Sequence, residues 1–128
     1  QGTRDPAAWL TVPDAIRFRQ DNDWDDVARD CQALAQDTAA RVARRTGMPA
    51  FASAEFCAPQ MVAMPVPRTD PMVLKQDLLS RFGIEIPCFD WKDAHTIVRL
   101  SVQGYNSADQ MDMLLDALTD ILHLTEAA

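Results

Sequence analysis

The stretch HTIVRLSVQ, residues 95–103, decides the fold because its residues alternate with a period of two. Successive side chains of a β-strand point to opposite faces of a sheet, so this pattern predicts a strand with one buried face. The predicted core face carries Thr96, Val98, Leu100 and Val102, and the other face carries Ile97, Arg99, Ser101 and Gln103. A charged guanidinium is therefore expected in the middle of the strand, pointing away from the core.

The residues that follow this strand predict a helix. The tetrapeptide SADQ, residues 107–110, is a capping box, in which a serine and a glutamine satisfy free N–H groups at a helix start. Apolar residues then recur with helical spacing at Met111, Leu114, Leu115, Leu118, Ile121 and Leu122. The opposite side carries aspartates, so we expect a helix with one buried and one acidic face.

Two helical regions are expected at the beginning of the chain. Asp5-Pro6 is a typical helix start, and Pro13 predicts that this first helix is bent or divided into two parts. A longer helix begins near Trp24 and ends at Gly47, a residue that readily adopts the left-handed conformation of a helix end. Residues 48–59 have no clear period and are expected to form a loop.

A strand, a helix and a second strand are expected between that loop and the central strand. The segment QMVAMPVP, residues 60–67, has prolines that are typical of an edge strand. Asp70 and Pro71 begin a helix that ends at Gly83, and residues 84–88 alternate like a strand. The apolar stripe expected on this helix is Val73, Leu74, Leu78 and Phe82.

The order of these elements predicts the fold class. Two helices, a strand, a helix, two strands and a final helix most simply form an α+β domain. We expect a small, mostly antiparallel three-stranded sheet with its helices packed on one face, and a single domain of residues 1–128.

Composition and charge exclude several classes of protein. The chain has 128 residues, 48% of them hydrophobic, which is enough for a packed core. Its formal net charge of −7 argues against nucleic acid or an anionic membrane as partner. No apolar run is long enough to cross a bilayer, so a cytoplasmic location is expected. Cys31, Cys57 and Cys88 form no metal-binding or disulfide pattern and are expected to be reduced.

Arg99 has two interpretations from its position alone. It is either a solvated arginine on an open sheet or a rigidly held guanidinium that binds a carboxylate through two parallel hydrogen bonds. His95 and His123 have no partners at metal-ligand spacing, and the phosphate-binding glycine motifs and the serine-hydrolase motif are absent from the sequence. The residues by themselves leave both interpretations of Arg99 open.

Four segments taken in order resemble a known family. They are GTRDP, FCAPQMVAMPVP, LLSRFGIEIP and VRLSVQGYNSADQMDMLLDAL. Together they are similar to the C-terminal small domain of class V aminotransferase-like enzymes that depend on pyridoxal phosphate, and most similar to the isopenicillin N epimerase-like branch. The resemblance covers nearly the whole chain, and its specific parts are the G-T near the start and the R-L-S followed by Y-N.

The resemblance implies roles for three residues. Arg99 matches the arginine that binds the α-carboxylate of the amino acid substrate in this family. Thr3 matches a threonine that hydrogen-bonds the cofactor phosphate across a dimer interface, and Gly2 matches the glycine that lets the backbone approach. The resemblance thus implies pyridoxal phosphate as cofactor and a homodimer as the working form.

The family attaches its cofactor to a lysine of a large domain, and neither Lys75 nor Lys92 lies in that motif. The large domain is therefore expected to lie outside this chain, which should not turn over substrate alone. We expect an exposed apolar surface around Trp9 and Val12, where the large domain would pack.

Two alternatives to this interpretation remain open from the sequence. The first is the small domain of a cysteine desulfurase or lyase, with Cys88 as its nucleophile. The second is a stand-alone α+β module that binds a small molecule or a protein.

Overall fold

The computed structural model describes residues 6–92 and 95–124. Its sheet has the strand order β1-β3-β2, with β1 at Met61–Val66, β2 at Cys88–Trp91 and β3 at His95–Ser101. Both outer strands run antiparallel to β3. The prolines explain the outer position of β1, because an edge strand tolerates a residue that donates no backbone hydrogen bond.

Five α-helices and one short 3-10 helix, Ala54–Phe56 in the loop before β1, accompany the sheet in the described part of the chain. The α-helices are α1 at Ala7–Leu10, α2 at Val12–Asp21, α3 at Trp24–Thr46, α4 at Pro71–Phe82 and α5 at Ala108–Ile121. Of these, α3 packs against β1 and α5, and α4 packs against β2 and α5. The predicted fold class, an α+β arrangement with helices on one face of a three-stranded antiparallel sheet, is confirmed.

The core lies between the sheet and the three long helices. The strands contribute Val62, Met64, Val66, Val98 and Leu100, and the helices contribute Cys31, Ala35, Val42, Leu74, Leu78, Met111, Leu114, Leu115 and Leu118. Two buried threonines are satisfied within it: the Thr38 hydroxyl donates to the Leu34 carbonyl, and the Thr96 hydroxyl donates to the Thr69 carbonyl, each at 2.7 Å. No buried polar side-chain atom in the described residues lacks a hydrogen-bond partner.

The helix boundaries follow the capping residues. The Asp70 side chain accepts hydrogen bonds from the backbone N–H groups of Met72 and Val73 at the start of α4, and Ser107 and Gln110 form the predicted capping box of α5. Gly47 and Gly83 end α3 and α4 with φ of 68° and 69°, a left-handed conformation that strains other residues. These four predicted boundaries are confirmed.

Three details differ from the sequence predictions. The second strand starts at Cys88, not at residue 84, although the Arg99 N–H still donates to the Pro87 carbonyl at 3.0 Å. Pro87 itself donates no hydrogen bond, so the regular ladder begins only after it. Val73, predicted in the buried stripe of α4, is 54% exposed because α4 buries the Leu74 and Leu78 side.

The first helical region is divided as expected, but at Thr11, so that Pro13 lies within the first turn of α2. A proline is tolerated there because the first helical N–H groups have no acceptor within the helix. Neither α1 nor α2, both of which lie within the described residues, contains a buried residue. Their exposed apolar residues include Trp9, Leu10, Val12, Ile16 and Phe18. The predicted exposed apolar surface around Trp9 and Val12 is confirmed.

Candidate functional site

Arg99 lies in the middle of the central strand, on the sheet face away from the three long helices. Its partner across the ladder is Ala63 of β1, whose short side chain does not cover the guanidinium. Arg99 is exposed and makes no side-chain hydrogen bond or ion pair with any described residue. A rigid strand therefore presents a complete set of guanidinium donors, the arrangement that suits two-point binding of a carboxylate.

Arg99 lies between two cavities that share it as a lining residue. The first, which we call the polar hollow, has a volume of about 340 Å³ and lies between residues 83–87, β3 and the start of α5. Its polar side chains include Glu85, Ser101, Asn106 and Gln110, for which we name it, and the rest of its lining is largely apolar, with Ile84, Ile86, Pro87, Leu100, Met111, Met113 and Leu114. Like Arg99, Glu85 has no ion pair with any described residue.

The second cavity, which we call the apolar hollow, has a volume of about 270 Å³ and lies at the β1 edge. It is lined by Ala39, Ala50, Phe51, Ala52, Phe56, Cys57, Ala58, Met61, Val62, Ala63 and Arg99. Arg99 is the one ionisable cation among these residues, and the others are apolar apart from the thiol. A carboxylate bound to Arg99 would thus have a cavity with four polar side chains on one side and an apolar cavity on the other.

The turn that leads from β3 into α5 is held by side-chain hydrogen bonds. The Gln103 N–H donates to the Asn106 side chain at 2.9 Å, and the Asn106 amide donates to the Gln110 side chain at 3.0 Å. Asn106 does not adopt a left-handed turn conformation, since its φ is not positive. Its side chain shapes the turn instead, which fixes the end of the strand that carries Arg99.

Gly104 lies close to a side chain of α3. A Cβ at this position would lie 2.9 Å from a methyl carbon of Val27, so a larger residue would push α3 away from the turn. Tyr105, beside it, is fully solvent-facing and contacts neither hollow. The turn is therefore a structural support for the arginine strand.

The loop before β1 covers part of the Arg99 face. Phe51 packs against Trp91 and His95, with ring centroids 5.7 and 6.2 Å apart. Ile97, on the same face, is 1% exposed, although the alternation predicted that it faces away from the core. The second face of the sheet is therefore not open at this end. Phe51 and Phe56, the aromatic residues of this loop, were the feature of the sequence that could have indicated that the loop packs on the sheet.

The predicted cofactor residues Gly2 and Thr3 lie outside the described residues. Lys75 is close enough to Cys88 to affect its titration, which places it on the helix side of the sheet, and the Lys92 ammonium lies 5.4 Å from the Trp91 ring centroid. Across residues 6–92 and 95–124, no cluster of three or more histidine, cysteine, aspartate or glutamate residues is suited to a metal ion. None of the described helices is long and apolar enough to span a membrane.

Cys88 is unsuited to act as a nucleophile. It pairs with Val98 and is half-buried against the core, on the sheet face opposite Arg99. Burial raises the pKa of the Cys88 thiol to about 11, and the nearby Lys75 ammonium offsets this only in part. Since the thiolate is the reactive form, Cys88 is almost entirely in the unreactive form near neutral pH.

We expect Cys88 to be alkylated by iodoacetamide about a hundredfold more slowly in the folded chain than in urea. A rise of the pKa from 9.0 to about 11 lowers the thiolate fraction by that factor at pH below 9. The rate should increase with pH, reach half of its limit near pH 11 and level off above it. Peptide mapping of timed alkylation reactions measures it, and the same chain in urea is the control. Equal rates in both states would show that Cys88 is an accessible thiol.

The fold and the site define a small α+β domain that presents a free guanidinium between a polar and an apolar hollow. Isopenicillin N epimerase of Amycolatopsis lactamdurans is 31% identical to the chain over 123 residues, which cover 94% of this chain and 31% of that protein. The chain thus spans about a third of the length of the curated relative it matches. No protein-family model matches the chain.

Proposed function

We propose that this chain is the C-terminal small domain of a longer pyridoxal-phosphate-dependent enzyme of the isopenicillin N epimerase-like branch of class V aminotransferase-like enzymes. The enzyme acts at the α-carbon of an amino acid. The proposal is supported by similarity to an epimerase over 94% of this chain. The matched segment makes up only 31% of that relative's length, as a single domain of a longer enzyme would. The α+β fold agrees with the expectation for such a small domain.

The observation that carries this proposal is the free guanidinium of Arg99. An exposed arginine on a central strand, without an acidic partner among the described residues, is ready to accept an anion from solution. Its role is to hold the α-carboxylate of the substrate by two charge-assisted hydrogen bonds. This contact orients the α-carbon, so that its C–H bond points in one direction for proton transfer.

The described residues do not form a complete cofactor site. Lys75 lies on the opposite sheet face and Lys92 packs on Trp91, so neither is placed beside Arg99 to attach the cofactor. In our proposal Gly2 and Thr3 contact the cofactor phosphate of a neighbouring subunit, and a large domain supplies the lysine. Pyridoxal phosphate, when bound, supplies the electron sink for a carbanion at the α-carbon.

The exposed apolar residues of α1 and α2 fit the same proposal. Trp9 is 76% exposed and is accompanied by other large apolar side chains, a combination that typically marks a surface covered by another part of a protein. The large domain of the same polypeptide is the proposed cover. The working form is then a homodimer in the cytoplasm, with an amino acid as substrate and no nucleic acid or membrane partner.

The two alternatives receive less support. A cysteine desulfurase requires a reactive thiol beside the substrate, whereas Cys88 is half-buried, faces away from Arg99 and has a raised pKa. A stand-alone binding module does not account for the exposed apolar helices or for similarity to one third of an epimerase.

Expression of the complete open reading frame that contains this chain tests the proposal. We expect a product about three times the length of this chain, which follows from the 31% share of the relative. After purification it should show the visible absorbance of protein-bound pyridoxal phosphate, which changes when borohydride reduces the attachment to lysine. A folded product without this absorbance after incubation with the cofactor would contradict the proposal and favour the binding module.

A further inference from the structure

We propose that the apolar hollow is the subsite for the substrate side chain, so that the site prefers carboxylates with a branched aliphatic or aromatic side chain. This inference rests on the proposed role of Arg99 as the carboxylate ligand. It adds a substrate class and assigns the loop before β1 a part in specificity.

The construction of the apolar hollow supports this role. Phe51, Phe56 and Met61 form its large walls, and alanines of α3 and the loop leave the space between them empty. Phe56 is 78% exposed and Met61 is also exposed, so these side chains gain little from the core of the domain. Exposed apolar side chains gathered beside one free cation are typical of a ligand pocket, in which a few polar groups orient a mainly apolar ligand.

The dimensions agree with a side chain of moderate size. A volume of about 270 Å³ is slightly below the lower end of the roughly 300–1,000 Å³ of whole ligand pockets, and therefore suits one part of a ligand. Ala63 lies directly opposite Arg99 on the neighbouring strand, and such pairs have their Cβ atoms about 5 Å apart. A substituent only a few bonds from a carboxylate on Arg99 would reach the hollow over Ala63.

The polar hollow is the less suitable place for an apolar side chain. Beside its apolar residues, its lining includes the unpaired carboxylate of Glu85 and the polar groups of Ser101, Asn106 and Gln110, whereas the apolar hollow has no polar side chain other than Arg99 and the Cys57 thiol. Covering these groups with hydrocarbon would remove their water without supplying hydrogen bonds, which is unfavourable. The two sides of Arg99 therefore define the orientation of the ligand, with its apolar part toward β1.

Titration of the isotope-labelled chain with two simple carboxylates, followed by backbone amide NMR, tests this inference. Acetate reports the carboxylate contact alone, and 4-methylpentanoate adds a branched aliphatic chain. We expect 4-methylpentanoate to bind about tenfold more tightly, because burying even a few CH₂ groups has an effect of this size. Its additional shift changes should fall on residues 50–63.

Two substitutions flank Arg99 as a matched pair. Ala63→Leu fills the apolar hollow and should abolish the advantage of 4-methylpentanoate over acetate, which is measured within the same variant so that any partial cover of Arg99 affects both ligands alike. Ser101→Leu places the same side chain on the same exposed face toward the polar hollow and should preserve the advantage. Phe56→Ala removes an exposed wall without touching the core, so its expected reduction of the advantage provides a test even if Ala63→Leu fails to fold.

The outcomes separate this inference from the proposed function. If acetate shifts the signals around Arg99 and 4-methylpentanoate binds no better, the side-chain subsite is wrong while the carboxylate role stands. The same conclusion follows if the two leucine substitutions have equal effects. If neither carboxylate shifts those signals, or if Arg99→Gln leaves their binding unchanged, the carboxylate role fails and the inference fails with it.

Discussion

Replacing Arg99 with glutamine is expected to lower kcat/KM of the complete enzyme about a hundredfold to ten-thousandfold. In the proposed role of Arg99, the variant loses two charge-assisted hydrogen bonds to the substrate carboxylate, each worth roughly 1.5–3 kcal/mol, and each 1.4 kcal/mol corresponds to a factor of about ten. Because the Arg99 side chain has no partner among the described residues, the free energy of unfolding should change by less than about 0.5 kcal/mol. Steady-state kinetics and urea unfolding of the same preparations measure both effects.

Arg44→Gln is the matched control for this substitution. Arg44 lies near the end of α3, is exposed, and has no side-chain partner among the described residues, so both variants lose one positive charge. The control should retain full activity, since Arg44 lines neither hollow. Equal losses in the two variants would indicate a general electrostatic effect, and full activity of Arg99→Gln would refute the carboxylate role.

Leu78→Ala is expected to destabilise the domain by about 2–5 kcal/mol, the range observed when a buried leucine is truncated. Leu78 is fully buried, with 0% of its surface exposed, in the layer between α4 and the sheet. Truncation removes favourable apolar burial and leaves a cavity that the surrounding side chains fill only in part. This is a large fraction of the roughly 5–15 kcal/mol by which small domains are stable. Urea unfolding followed by circular dichroism measures the change.

Leu79→Ala is the control for that experiment because it makes the same chemical change one position along α4. Leu79 is 45% exposed, so it contributes much less burial, and both substitutions alter helix propensity equally. We expect a loss of less than about 1 kcal/mol for this variant. If the two variants were equally stable, Leu78 would not be part of a close-packed core, and the helix-on-sheet arrangement would be contradicted.

Sequence patterns predicted those features that depend on neighbouring residues. The capping residues Asp70 and Ser107 and the end of α4 at Gly83 were identified correctly, because a helix boundary requires particular side chains within a few positions. The orientation of Arg99 was also correct, since the period of two along a strand assigns every second side chain to the same face. Val73 was assigned to the buried stripe incorrectly. Val73 and Leu74 are neighbours on α4, and only the packing of α4 against the rest of the domain decides which of them is buried.

The candidate site was predicted in part. Arg99 was singled out from its unusual position in an apolar strand and from the resemblance, while the residues around it were not. The walls of the apolar hollow are Phe51 and Phe56 in a segment without periodicity, so no pattern assigned them to a surface. Their distance along the chain from Arg99 is more than forty residues.

By itself, the sequence determined the α+β class, the helix ends and the outward direction of Arg99, because each depends on local stereochemistry and spacing. Only the tertiary structure decided what surrounds Arg99. The strand order β1-β3-β2 places Ala63 opposite the arginine, and the loop before β1 packs on that face against Trp91 and His95 and forms the apolar hollow. Such contacts join segments that are far apart in the chain. Their free energy depends on how all of these segments pack together, and a local sequence pattern contains no information about that packing.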